Sequence, residues 1–580
     1  MYTQLTNTFD LDLCCANVYN NAVNSEIVGC VYMASLQKRT VKGIDYWSLV
    51  ESKRINGKPR PVVIEYFGNT KSFVEKLINS RNENKILKSY SHGDTRALMK
   101  IAENLGIEQI LDDVIKSRTR NGLKRSQTLL LIALQSVCNP SSKSELGSWI
   151  KSTSLQYDYN LPAAALISNH FWEQMNDITE SELVAAEDTI VKRIFSKYSF
   201  GLEKIALDYT NYFSYISSTN DRCKLAMRGH NKQKRNDLRQ YSLALITTKE
   251  SSLPLCSHIY EGNKNDKTIF TEYLDVLKRR IPNYDPNSIT LVFDGGGNTK
   301  DNFKALETHY ICSFSLSSCK NLYNIELSNY SNVMINGNEV KCYRITQEIW
   351  DKERECILTY SNSLYRGQLK ELDEDIAQAS ASFDQLNDKL CNPKSKISKT
   401  TNSIQSKIKT ILTKKHMDTI FSTRIYENND GLVSRVEYLA DEEMKSEIAR
   451  KYFGKKLLIT DQKTWSTVDI IKAYREQDCI EKIFRTTKDS DHCAIRPQFH
   501  YTDQKIRVHI FCCLLGLMLA TILHREVISK GFVGSKFHLL DVLSGIRRCW
   551  IKDRDSTKVT YVLEDMDVVQ TQLWNIIKSI

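Results

Sequence analysis

Ser466 to Lys488 reads STVDIIKAYREQDCIEKIFRTTK, and the chemistry expected of the whole chain depends on it. Ser466 with Asp469 three residues later is an N-cap followed by a first-turn acid. Beyond it, Tyr474, Gln477, Glu481 and Lys488 recur at helical spacing. At about 100° per residue this puts all four on one side of a helix. Ile470, Ile471, Ile480, Ile483 and Phe484 supply the apolar surface that holds such a helix against a core. A lone glutamate on a helix is ordinarily a solvated residue. Glu481 stands out because Asp208 and Asp294 lie far upstream, each in or at the end of an apolar, strand-like run.

Those runs follow one another. KIALDYTNYFSYI from Lys204, YSLALITT from Tyr241 and LPLCSHIYEG from Leu253 precede a helical segment, Thr268 to Arg280, and then SITLVFDGGG from Ser288. Three hairpin-connected strands, a helix and a fourth strand are the opening order of a ribonuclease-H-like α/β core. Asp208 sits in the first strand and Asp294 ends the fourth, and strand-end carboxylates facing a crevice are where such sheets place their chemistry. Three oxygen ligands at a sheet edge suit Mg²⁺. Two ions about 3.5–4 Å apart activate an attacking oxygen and stabilise a leaving one, which is phosphodiester chemistry.

The closing helix does not follow directly. Roughly 140 residues intervene before Ser466, too many for a loop in a compact domain. They open with strand-like VKCYRIT and CILTY. Leu369, Leu372, Ile376, Ala379, Phe383, Leu386 and Leu390 then form a coiled-coil seam that Pro393 breaks, and Ile397 to Ile411 resumes it. The first arm is acidic and the second basic, so the pair reads as an antiparallel helical hairpin whose lysines balance the neighbouring arm. GLVSRVEYL and KKLLITD are read as strands returning to the core.

Upstream, Val31 to Gly68 is strand-like, with Asn56-Gly57 marking a tight hairpin. Helical periodicity takes over from Asp94 to about Lys197. The basic cluster Lys116 to Arg125 within it reads as a solvated face before a DNA contact. The expected organisation is therefore 1–75, an N-terminal tail and β-rich segment; 76–200, a helical DNA-end-binding region; 201–325, the first half of the core; 326–462, the insertion; and 463–580, the second half with C-terminal helices.

Eighty basic and 69 acidic side chains leave a net charge of +11 over 580 residues, an excess that fits a phosphate-rich partner without demanding one. The 16 cysteines include no C-x-x-C pair and no zinc-ligand spacing, and are read as reduced and mostly buried. Met1 to Asn24 carries acids where a signal peptide needs bases. Ile510 to Leu523 is too short to span a bilayer and reads as a buried core helix, with His509 a hydrogen-bonded core residue. Trp465 is read as packing at a helix start.

The surrounding residues add a resemblance. Tyr474-x2-Gln477-x3-Glu481-x6-Lys488, followed by IRPQFHYTDQKIRVHIFCCLLGLMLA, is similar to the signature of the DDE transposases of prokaryotic insertion sequences, in the IS-four-like group and its sixteen-thirty-four branch. LDYTNYF and LVFDGGGNTKDN resemble that family's first- and second-Asp motifs. RGHNKQKRNDLRQYSLALIT, YEGNKND and CNPSSKSELGSW resemble its other segments. Gln477 stands where the signature has Arg, losing the charge and the fork that grips phosphate.

The resemblance implies that Asp208, Asp294 and Glu481 are catalytic metal ligands for two Mg²⁺, with Mn²⁺ able to substitute. It implies Tyr474, Gln477 and Lys488 near the cleaved DNA strand, with Lys232, Lys234 and Arg235 either on phosphate or in a solvated turn. The partners expected are element terminal inverted repeats and target DNA, bound by a homodimer in the prokaryotic cytoplasm with no membrane role. Two rivals remain: a DNA-binding protein descended from a transposase without catalysis, and a host nuclease on the same fold.

Overall fold

A computed structural model describes residues 34–55, 58–81, 85–231, 233–282, 284–489, 491–496, 498–553 and 559–580. They fall into two compact units. One takes the residues up to Ser89 with Arg548–Glu564, and the other takes Tyr90–Arg547 with Asp565–Ile580.

The first unit holds an antiparallel three-stranded sheet, Ala34–Val41, Ile44–Ile55 and Lys58–Asn69. The turn expected at Asn56-Gly57 lies outside the described residues. A second small sheet joins Lys85–Ser91 to the C-terminal strands Arg547–Asp553 and Val559–Leu563. This corrects two expected boundaries. The β-rich unit extends past residue 75, and part of 463–580 belongs with it, because strand pairing joins segments that are remote in sequence.

The second unit is mixed α/β around one nine-stranded sheet. Two of its N-terminal helices are α1 (Arg125–Cys138) and α2 (Glu180–Lys197). The sheet strands are β1 (Lys204–Ser214), β2 (Arg239–Thr248), β3 (Pro254–Glu261), β4 (Thr290–Phe293), β5 (His309–Phe314), β6 (Ser331–Ile335), β7 (Asn338–Ile349), β8 (Lys352–Tyr360) and β9 (Lys455–Thr460). Their spatial order is β6-β7-β8-β9-β5-β4-β1-β2-β3. β1, β2 and β3 pair antiparallel, while β4 is parallel to both β1 and β5. Helix α3 (Asp266–Arg280) connects β3 to β4.

The expected insertion is thus only partly separate. β6 to β9 extend the main sheet through antiparallel pairing of β9 with both β5 and β8. What projects is α4 (Asn362–Cys391) and α5 (Thr401–Ile411). They bury Leu372, Phe383, Leu386 and Leu390 against Ile404 and Ile408. Lys399 donates to the Leu390 carbonyl at 2.6 Å, whereas Lys414, past the end of α5, reaches Asp375, so the arms run antiparallel. Ile397 precedes the second helix rather than joining it. GLVSRVEYL pairs with Phe421–Glu427 in a separate ribbon that Asn387 clasps through both backbone groups of Val436, each at 2.8 Å.

The basic cluster leading into α1 is largely exposed, as expected, but most of its charges are paired within the protein. Arg125 donates to the carbonyls of Lys116 and Asn176, Lys124 pairs with Asp112, and Arg120 pairs with Glu173.

Helices α6 (Thr467–Arg475), α7 (Asp478–Lys488) and α8 (Asp503–Ser529) follow the sheet. By length and composition α8 is apolar enough to cross a membrane, yet 94% of its most apolar window is buried inside the protein. It packs against α1. At Gly516 a Cβ would come within 2.5 Å of the Ala133 carbonyl, so the two backbones meet there because the residue is glycine.

His509 on α8 is buried and donates from Nε2 to the Ile495 carbonyl at 2.8 Å. Burial first, then the charge of Lys143, holds its pKa down at about 3. The folded chain therefore stays neutral there while the unfolded chain takes up a proton below about 6.5. Stability should fall as pH drops from 6.5 toward 3, by up to about 1.4 kcal/mol per unit from this residue. Urea unfolding of wild type and His509→Gln between pH 6.5 and 4.5 should show a flatter slope for the variant, by close to one proton.

Candidate active site

β1 opens on an apolar run, Ile205, Ala206 and Leu207, that is buried on both faces of the sheet, and Asp208 stands partly exposed in the strand's middle. The short strand β4, buried along its whole length, runs parallel to β1 with Phe293 opposite Leu207. Asp294 is the next residue, so the two aspartates come to adjacent register positions on neighbouring strands. The chain then turns through Gly295–Gly297. A Cβ on Gly297 would meet the Phe270 ring at 2.7 Å, so glycine lets α3 lie directly beneath the turn.

Asp294 accepts from the Ser313 hydroxyl and from the Tyr474 hydroxyl at 3.2 Å. Burial pushes its carboxyl up. The Ser313 bond, the Gly295 N–H, the charge of Lys456 and the Tyr474 bond together outweigh that and hold it below the usual range. It is ionised at neutral pH. Burial, then Asp294 itself, pushes the Tyr474 phenol well up, so Tyr474 remains a donor. The Lys456 ammonium lies 4.5 Å from the Tyr474 ring centroid. Tyr474, expected at DNA, is engaged with the second aspartate.

The stretch from Ser466 forms two helices, which corrects the expectation of one. At the junction the amides of Gln477, Cys479 and Ile480 each bond three residues back, to Tyr474, Glu476 and Gln477, a tightened turn. The Ala473 carbonyl thereby loses its helical donor. Buried Lys249, from the loop after β2, supplies one at 2.8 Å and pairs with Glu476. Gln477, also expected at DNA, is 6% exposed and donates to the Leu207 carbonyl at 3.4 Å. Its position joins α6–α7 to β1 rather than facing solvent.

Further along α7, Lys488 donates to the Thr210 hydroxyl with its ammonium 5.5 Å from the Tyr212 ring centroid, and Thr487 meets the Tyr212 hydroxyl at 2.6 Å. Thr210 and Tyr212 share a strand face with Asp208 by the two-residue alternation. α7 therefore runs alongside β1 on the Asp208 face, from Leu207 to Tyr212. Glu481, one turn beyond Gln477 on the same helix, is exposed.

Three carboxylates suit a hard cation in chemistry. Among the described residues, however, no group of three or more His, Cys, Asp or Glu side chains comes close enough to hold a metal ion. Asp208 and Asp294 are brought side by side. Glu481 stands on the helix that packs on β1 but does not join the two aspartates in one cluster.

Of the basic loop, Lys234 is exposed, while Arg235 grips Asp237 through two bonds of 2.8 Å and draws that carboxyl down to about 2. Lys232 lies outside the described residues. Sequence reasoning missed Ser313, Lys249 and Lys456, which hold the site. It also missed a cavity of ≈ 540 Å³ beside Asp294, lined by Lys267, Lys415, Lys455, Lys456, Phe314 and Trp350. Only the KK pair in KKLLITD hinted at it. Trp465 packs at the start of α6 with the Lys204 ammonium 5.3 Å from its ring centroid, and His509 is a core residue.

No family model matches this chain, and no curated protein does. Among solved structures, the chain is similar to a piggyBac transposase in a synaptic complex with hairpin DNA. The TM-score is 0.39 and the identity 8%, over 77% of this chain and 79% of that one. A likeness of that size carries no family assignment.

Proposed function

We propose that the protein is a metal-dependent DNA transposase of the DDE kind, with β1 to β5 and α3 as a ribonuclease-H-like core. It would cut at the ends of an insertion sequence and join the 3′-hydroxyls to target DNA. The observation that carries this reading is the placing of Asp208 and Asp294 at adjacent positions of parallel strands, with Glu481 on the helix that covers the first. Asp208, Asp294 and Glu481 would hold the cations. Two Mg²⁺ ions, or Mn²⁺, would supply Lewis-acid activation of the attacking oxygen and stabilise the leaving 3′-oxygen.

The chain's own residues do the rest. Ser313 and Tyr474 keep Asp294 ionised and oriented, Lys456 adds positive charge beside it, and Lys488 fixes α7 to β1. The protein would act as a homodimer on terminal inverted repeats in a prokaryotic cytoplasm.

The test is cleavage of a labelled duplex carrying the inverted repeats that flank the gene. Nicking at the repeat end that requires Mg²⁺ or Mn²⁺ is the expected result. Tight binding to that end with no cutting in either metal would favour the rival, a transposase-derived DNA-binding protein without catalysis. The observation on that side is that the three carboxylates do not form one cluster.

A further inference from the structure

Beyond the end of β1, on from Asp208, lies a groove of ≈ 1050 Å³. Three aromatic side chains in its lining are held out to solvent: Tyr215 is 82% exposed, Phe499 61% and Tyr501 50%. Two come from the segment between α7 and α8 and one from the segment after β1. Asn220 ties these segments by donating to the Tyr501 carbonyl at 2.9 Å. Large aromatics grouped in the open, rather than scattered singly, mark a binding surface.

The charges around them are mainly positive. Lys488 and Arg496 line the groove, with Asp489 the acid among its described lining residues. The groove shares Phe499 and His500 with a smaller cavity of ≈ 320 Å³, lined also by Trp172, His509, Lys143 and Ser141, Ser142 and Ser144. Lys488 also donates to Thr210, two residues from Asp208 on β1, so one groove residue reaches the strand of the candidate active site. Tyr215 is seven residues beyond Asp208, roughly 20 Å along an extended chain.

Flat aromatic faces interleaved with cations bind unpaired nucleic acid, because every base has a face to stack and every linkage a phosphate to neutralise. A duplex offers stacked bases that these rings cannot reach.

We propose that this groove holds a single-stranded DNA tail leading away from the candidate active site. Tyr215, Phe499 and Tyr501 stack its bases, while Arg496 and Lys488 face its phosphates. The proposal takes its partner class from the DNA reading but needs no catalysis, so it is tested without metal.

The experiment measures binding of the full chain, in EDTA and at fixed salt, to a fluorescent blunt duplex and to the same duplex with a six-thymidine tail. Wild type should bind the tailed duplex at least about tenfold more tightly, the effect of one or two stacked bases. Tyr215→Ala with Phe499→Ala should remove that preference while blunt-duplex binding stays within about twofold, which also shows the variant is folded. Tyr215→Phe should retain the preference, and Arg496→Gln should lower the salt dependence on tailed DNA alone.

Equal wild-type binding to both DNAs overturns the proposal, whether or not the protein cleaves DNA in metal. So does a loss shared equally by both, or a change only in the ratio of monomer to dimer on gel filtration. That last result would make the groove a contact between two copies of the chain.

Discussion

Glu481→Gln is expected to lower Mg²⁺-dependent strand cleavage on the order of a thousandfold, about 4 kcal/mol of barrier, while leaving end binding intact. Glu481 is exposed on α7, whose buried residues Ile480, Ile483, Phe484 and Thr487 hold the helix in place. Glutamine keeps the shape and the helix propensity. It loses only the favourable first-turn charge, about 0.3–1 kcal/mol, so unfolding should move little. What it removes is the negative charge at that position.

Binding to labelled end duplex in EDTA should be the same for both proteins, because it rests on phosphate contacts elsewhere. Asp208→Asn and Asp294→Asn should show cleavage losses of the same order. Undiminished cleavage by the Glu481 variant would remove that residue from the site and leave the two aspartates alone.

Arg280→Met is expected to cost about 3–5 kcal/mol of stability. Arg280 ends α3 with no exposed surface. It pairs with Glu187 at 3.0 Å and with Asp188, both on α2, and donates to the Leu255 carbonyl at 3.1 Å. Burial already pushes the Glu187 carboxyl above its ordinary value, even with the guanidinium beside it. Methionine fills the volume but leaves that carboxylate buried with no cation.

Urea unfolding at pH 7 should show the full loss. The deficit should narrow as pH falls toward about 5. A carboxyl whose folded pKa lies above its unfolded value costs stability only once pH exceeds the unfolded one. Because Phe270 of α3 packs under Gly297, next to the Asp294 turn, cleavage should decline along with stability. An unchanged unfolding midpoint would mean that α3 is held by its apolar face alone.

Local patterning was enough for much of this molecule. The runs around Asp208, Asp294 and the segment Thr268 to Arg280 are strand, strand and helix, because each buries an apolar face with its own period. The α4–α5 pair was legible for the same reason, its seam repeating within single helices. Ser466 as an N-cap needed only residues three apart, and its hydroxyl receives the Asp469 amide at 3.1 Å.

Other features depended on partners remote in the chain. The break after Arg475 is completed by Lys249, more than two hundred residues away, and nothing in EQDCIEK marks it. Gln477 looked like a surface residue at helical spacing until the tightened turn set it against the Leu207 carbonyl. The strands of the supposed insertion became sheet strands because β9 found the open edge of β5, and no periodicity reports which edge a strand will meet. Apolar period and capping are properties of a few consecutive residues, so the sequence alone determined most of the elements and the placing of Asp208 in a strand and Asp294 at the end of another. Pairing, burial and the gathering of charges are properties of segments brought together only by folding. The tertiary structure alone therefore decided which of the candidate side chains face the site and which are spent holding it.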